Sequence, residues 1–142
     1  MISQTAEYAL RAVIFLAQHP GRTWTADAIG QHTRIPVSYL SKIMQALARR
    51  RLVSSQRGLH GGFGLLIDPD RLTMLEVVSA VEPLMRITNC PVHQAGLDRS
   101  LCSLHRRIDA ACQAVEQVFT QATIRSIVDD PQGVHPHCVD PV

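Results

Sequence analysis

Apolar positions in the first fifty residues recur at helical spacing. Over residues 5–18, Ala6, Leu10, Val13, Ile14 and Ala17 follow three- and four-residue steps, predicting an amphipathic helix that His19-Pro20-Gly21 ends. Thr25 is a suitable N-cap for a short helix over 26–32, with Asp27 in its first turn. Pro36 suits the first turn of a third helix over 37–49, whose inward stripe is Leu40, Ile43, Met44 and Leu47. Residues 52–56 then read as a short strand and 64–67 as its partner, around a glycine-rich tip over 57–63. Thr73 and Glu76 form a capping box for a helix over 74–81, which Pro83 stops. Residues 86–100 read as a loop. Beyond them Leu101, Leu104, Ile108, Ala111, Val115 and Val118 alternate three- and four-residue steps without a miss.

Two helices joined by a short turn, the second ending in a basic cluster, make a helix-turn-helix; a hairpin directly after it makes a wing. The expected fold is mainly α with a small β-hairpin: a winged helix-turn-helix over 1–84, a sensor loop over 85–100, a dimerisation helix and C-terminal short helix over 101–128, and a tail over 129–142. The 101–118 pattern is a heptad seam that a second copy of the chain can cover. It is too short for a free coiled coil, so docking onto the body is also expected. One amphipathic helix packed within the monomer is the competing reading.

Composition and charge add an anionic partner. Of 142 residues 46% are hydrophobic, enough for a core, but only 4% are aromatic, so aliphatic packing must dominate. No apolar run approaches the roughly 18 residues of a membrane span, and the first residues lack a basic-then-apolar signal, so a cytoplasmic location is expected. The net charge of +2 divides into +5 over residues 1–68 and −3 over 69–142. A basic half suggests nucleic acid.

The stretches Ala6-Glu7-Tyr8-Ala9-Leu10-Arg11-Ala12 and Ile35-Pro36-Val37-Ser38-Tyr39-Leu40-Ser41-Lys42, with the wing from Arg57-Gly58 through Gly61-Gly62-Phe63-Gly64-Leu65, resemble the Rrf2 superfamily of regulators, which includes the IscR, NsrR and CymR groups. With the apolar spacing of Leu75, Val77, Val78 and Val81, the likeness covers about residues 5–82. It implies a homodimer that sets two recognition helices in successive major grooves of double-stranded DNA, with wings on the flanking minor grooves. The side chains agree. Leu40, Ile43 and Met44 are needed inside, leaving Val37, Ser38, Tyr39, Ser41 and Lys42 for the duplex, with Gln45 a turn on. Ser38 and Ser41 can bond base edges or phosphate, and Tyr39 can reach a phosphate oxygen. Arg49, Arg50 and Arg51 suit phosphate clamping, and Arg57 and His60 flank wing glycines beside a narrow groove. A solvated helix end is the alternative for the arginine run, and Arg34 is balanced between the two.

Cys90, Cys102, Cys112 and Cys138 all lie in the last 53 residues, among histidines. In a cytosolic protein such clusters point to metal or redox chemistry rather than a disulfide framework. The resemblance implies, for the IscR-like branch, three loop cysteines and a following histidine that bind an iron–sulfur cluster. Here Cys90 is followed twelve residues later by Cys102 and then by His105, which shares a helix face with Cys102. The middle cysteine is replaced by Gly96, so the ligand set does not transfer whole. Candidates for the missing ligand are His93, Asp98, and Glu7 of a second copy, the last because an acidic residue there is a ligand in the NsrR-like branch. Cys112 is a poor companion to Cys102, since ten residues of helix separate them by about 15 Å. It can replace Cys102 beside Cys90 if the loop folds differently, or join a disulfide.

Thiolates with imidazole suit an iron–sulfur cluster, two-iron in preference to four-iron, and also zinc. A metal-free thiol switch and inert buried thiols are the other readings. His135, Pro136, His137 and Cys138 read as a tail ending, His32 and His60 as ordinary surface histidines. The expected function is transcription regulation, as a repressor sensing redox state, nitric oxide or iron–sulfur status, with a metal-free thiol-switch repressor as the alternative. A thiol or zinc hydrolase on Cys102 and His105 lacks oxyanion donors and a cleft, so no enzyme is expected. A winged helix serving only protein contacts would show no salt-dependent DNA binding.

Overall fold

Small residues at Ala6, Ala9, Ala12 and Ala17 let other helices approach the first one closely, and it is buried on most of its circumference. A computed structural model describes residues 2–90 and 101–133. The candidate ligands His93 and Asp98, the Gly96 position and the 135–138 group lie outside the described residues. Helix α1 (Gln4–Gln18) starts at Ser3, whose Oγ accepts from Ala6 N at 3.1 Å and also donates to the Glu82 carboxylate. Its apolar surface packs against the helices over Val37–Arg49, Met74–Val81 and Ile124–Val128 (α3, α4 and α6).

Helix α2 (Ala26–Thr33) is capped by Thr25, as the sequence predicts, and runs one residue beyond the expected end because Thr33 Oγ1 donates to Ile29 O at 2.6 Å. It ends at Arg34 in the left-handed region, φ 56°. Helix α3 (Val37–Arg49) has the predicted bounds, and Leu40, Ile43, Met44 and Leu47 are buried as expected. Arg51, φ 59°, then turns the chain into the wing.

The wing is antiparallel, with β1 (Val53–Gln56) against β2 (Gly62–Leu65) and Val53 opposite Leu65. This corrects the expected second strand at 64–67: pairing begins two residues earlier, at Gly62, and leaves 57–61 as the tip. Trp24, between α1 and α2, sets this register. Trp24 N donates to Phe63 O at 2.8 Å and Phe63 N to Trp24 O at 2.7 Å. Only glycine fits at 62, where φ is 146° and a Cβ would lie 2.5 Å from Trp24 O.

Helix α4 (Met74–Val81) carries the predicted capping box in full. Helix α5 (Ser103–Gln121) has no buried residue, and α6 (Ile124–Val128) brings the chain back to the core with Ile124 at 0% exposure. Met74 N donates to Ala122 O at 2.9 Å and Ile124 N to Leu72 O at 2.8 Å, tying α6 to the start of α4. Helix α5 docks by a stripe the heptad pattern did not mark: His105, Asp109, Cys112, Glu116 and Phe119 are half-buried. The seam lies beside it, with Leu104 61%, Ile108 42% and Val118 61% exposed.

Left-handed backbone is unfavourable for arginine and nearly free for glycine. Arg34→Gly and Arg51→Gly are therefore expected to raise the unfolding free energy by about 1 kcal/mol each in urea titrations; unchanged midpoints would show that neither site is strained.

Candidate functional site

The outer face of α3 is the first part of the site. With four apolar side chains turned inward, the same helix exposes Val37 at 40% and Tyr39 at 54%. Ser38, Lys42, Gln45, Arg49, Arg50 and Arg51 are also exposed, and Ser41 is half-buried. Arg57 and His60 stand exposed on the wing tip beside Leu59, which is 99% exposed. The predicted nucleic-acid residues thus occupy two neighbouring elements, and no core role competes for the exposed ones.

Two side-chain groups brace that face. Tyr39 meets the edge of Tyr8 with ring centroids 6.4 Å apart, and Arg11 lies 5.4 Å from the Tyr8 centroid. Arg11 Nη1 donates to Thr33 O at 3.1 Å, at the end of α2, and Arg11 pairs with Glu7 one turn back on α1. At the wing base, Trp24 packs at 4.9 Å from Phe15, 5.2 Å from His19 and 5.6 Å from His32, with the Arg22 guanidinium 3.5 Å above its ring. His32 is thus half-buried in an aromatic group rather than an ordinary surface residue; the group forms because the Trp24–Phe63 pairing draws the α1–α2 connection inward.

The second part of the site is at the start of α5. Cys102 is the N-cap residue but makes no capping bond; its Sγ lies 3.0 Å from His105 Nδ1. Cys90 Sγ reaches the same nitrogen at 3.3 Å, from the segment after α4. The three donor atoms lie within 4.8 Å of one another and are half-buried. Two thiols and an imidazole at that spacing fit a soft or borderline metal such as iron or zinc. Glu7 is not in this group within one chain, being paired with Arg11. Cys112 is not in it either. It faces a groove of about 630 Å³ between the start of α1, the end of α4 and α5, lined also by Ile2, Ala6 and Val78.

The sequence reading missed Arg86 and Asp109. Arg86 grips Asp109 with two parallel bonds, Nε to Oδ1 and Nη2 to Oδ2, both 2.7 Å, and approaches Glu116 Oε2 at 3.5 Å. Ile87 N donates to Asp109 Oδ1 at 3.0 Å. Hydrogen bonding from Arg86 holds the Asp109 carboxyl below its ordinary range against partial desolvation, with Ile87 N–H helping; the same bonds hold the guanidinium charged. A spacing of 23 residues gives no local signal for this pair.

Comparison with known proteins decides the family. Residues 2–130 match the Rrf2 family, described as iron-dependent transcriptional regulators. The chain belongs to the Rrf2 family. It is 27% identical over 136 residues to the HTH-type transcriptional regulator NsrR of Bacillus subtilis, covering 94% of this chain and 93% of that one. It is 32% identical over 106 residues to the HTH-type transcriptional regulator IscR of Xenorhabdus nematophila, covering 73% and 64%. Among solved structures it resembles T. potens IscR, with TM-score 0.74 at 20% identity over 92% of this chain and 87% of that one. It also resembles CymR (YrzC), the global cysteine regulator of B. subtilis, with TM-score 0.70 at 24% identity over 90% and 95%. These likenesses show the winged-helix fold that the sequence predicts. As Rrf2 members are DNA-binding transcriptional regulators, the chain is a regulator and not an enzyme. Among the described residues no helix is long and apolar enough to cross a membrane.

A carboxyl lowered by folding contributes stability above its unfolded pKa and loses it as pH falls through the folded value. Asp109 is therefore expected to titrate below the ~3.9 of a free aspartate in NMR, and the stability advantage over Asp109→Asn to persist at neutral pH and vanish only at more acidic pH. A normal titration would show the ion pair to be transient.

Proposed function

We propose that the chain is a homodimeric, cytoplasmic DNA-binding repressor whose affinity for its operator responds to the state of a Cys90–Cys102–His105 centre. The observation that carries this reading is the convergence of the Cys90 and Cys102 sulfurs on one imidazole nitrogen of His105 at the start of α5. The family's description as iron-dependent supports iron there. Cys90, Cys102 and His105 would hold an iron–sulfur cluster, two-iron rather than four-iron, with a further ligand from His93, Asp98 or the second copy's Glu7. Bound there, the cluster supplies reversible electron uptake and reactivity toward oxidants and nitric oxide. The chain's own residues do the rest. Cys90 reports from the segment after α4, and Cys102 and His105 report from the start of the helix whose seam (Leu101, Leu104, Ile108, Ala111, Val115, Val118), exposed at Leu104, Ile108, Ala111 and Val118, pairs with a second copy.

Two half-sites require a fixed separation of two recognition helices, so a change where α5 meets the wing-bearing body alters operator affinity. Ser38, Tyr39, Ser41, Lys42 and Gln45 would read or position on the major groove, Arg49, Arg50 and Arg51 would hold phosphates, and Arg57 and His60 would follow the minor groove. Arg11, on α1, is paired with Glu7 and bonded to the end of α2, just before the recognition helix. A metal-free thiol switch is the second reading. It is favoured by the same imidazole lying within 3.3 Å of both sulfurs, where it can accept a thiol proton.

Freshly purified anaerobic protein is expected to show visible absorbance with stoichiometric iron and sulfide, lost in Cys90→Ala and Cys102→Ala together with a change in operator affinity. Colourless, iron-free protein whose DNA binding responds to thiol oxidants would establish the second reading. Removing one phosphate contact reduces the salt slope of log K by about 1. Gel shifts of Arg51→Gly over a salt series should thus show weaker binding with a shallower slope, in a protein made more stable. Equal slopes would remove Arg51 from the interface.

A further inference from the structure

Cys90 belongs to no helix or strand, and neither do residues 83–89 before it. No backbone ladder fixes the sulfur at His105. Leu84 is the last residue before Cys90 packed against the core, and six residues of chain can span about 20 Å. Between Leu84 and Cys90 the segment is attached strongly to α5 at residues 86 and 87. Arg86 forks onto Asp109, and Ile87 N–H donates to the same carboxylate. From Ile87 the three residues to Cys90 span about 10 Å at most. On the other side, Asp109 lies one helical turn, about 6 Å, from His105. The lock at 86–87 therefore fixes the register of the segment on α5 and brings Cys90 to the nitrogen that Cys102 also approaches.

We propose that Arg86 and Asp109 are positioning residues for the Cys90–Cys102–His105 centre, a clamp that holds the Cys90 sulfur beside the other two donors before any metal arrives. The inference rests on the proposed use of that centre but makes a separate claim about this chain. Halving the reach of the tether reduces the volume open to the sulfur about eightfold, so the clamp raises its local concentration at His105 by about tenfold. Loss of an outer-shell partner of a metal ligand has effects of similar size, about 10–100-fold in affinity. Neither residue touches the metal. Glu116 adds only charge, at 3.5 Å from Arg86.

The test uses the full-length chain and two readouts. In the first, anaerobic Co2+ is titrated into the apo protein and thiolate-to-cobalt absorbance is followed. Asp109→Ala is expected to weaken Co2+ about tenfold. Arg86→Lys, which keeps the charge but loses the fork, should fall between it and the parent, and Glu116→Gln should match the parent. In the second, metal is absent and Cys112 and Cys138 are replaced by Ser. Diamide takes two electrons and two protons from the Cys90 and Cys102 thiols as their disulfide forms, and mass spectrometry follows the rate. The same variants should slow it in the same order.

Circular dichroism confirms folding, and Arg86→Lys carries the test if Asp109→Ala unfolds. Variants that bind Co2+ and cross-link like the parent would overturn the clamp. A parent that takes up no Co2+, with cross-linking still slowed in the variants, would support the clamp and remove the metal reading of the centre.

Discussion

Burial of α1 on three sides is the constraint on which everything else hangs. Its alanines leave no room for α3, α4 or α6 to move independently, because close packing makes each neighbour's position depend on the others. The helix carries a polar attachment along its length. Ser3 bonds Glu82 at the exit of α4, Arg11 holds the carbonyl end of α2, and Phe15 supports the Trp24 ring under the wing. The helix-turn-helix, the wing and the segment leading to Cys90 are thus all attached to this one helix.

Elements whose period comes from their own burial were legible in the sequence. Helix α3 matches residue for residue because its stripe faces a core that any packing of this chain would supply, and α4 matches because its capping box is local. The wing register was not legible. The run Gly64-Leu65-Leu66-Ile67 is the more apolar candidate, yet Leu66 is 55% exposed. The register comes from Trp24, nearly forty residues away, whose backbone takes both hydrogen-bonding groups of Phe63. Pairing between distant segments leaves no periodic trace in either one.

The site divides the same way. Cys102 and His105 could be matched from their spacing, since three residues on a helix share a face. That Cys90 rather than Cys112 joins them depends on the path of an irregular segment, and that path depends on Arg86 and Asp109, which carry no motif. The solvent-facing positions of α3 were readable by elimination: once Leu40, Ile43, Met44 and Leu47 are assigned inward, the rest have nowhere else to point.

Helix α5 explains how one element can serve two partners. Its apolar seam and its docking stripe share the same three–four step but are offset by one residue, about 100° around the axis. Sequence reading gave the apolar stripe first to a second copy; within the chain the neighbouring stripe docks, with Phe119 against the core and Asp109 satisfied by Arg86 and the Ile87 N–H. Leu104, Ile108 and Val118 of the seam stay exposed as a consequence. A covered seam and an ordered Cys–His centre are therefore not alternatives competing for one surface. They are adjacent faces of one helix, and a rotation of that helix cannot change one without changing the other.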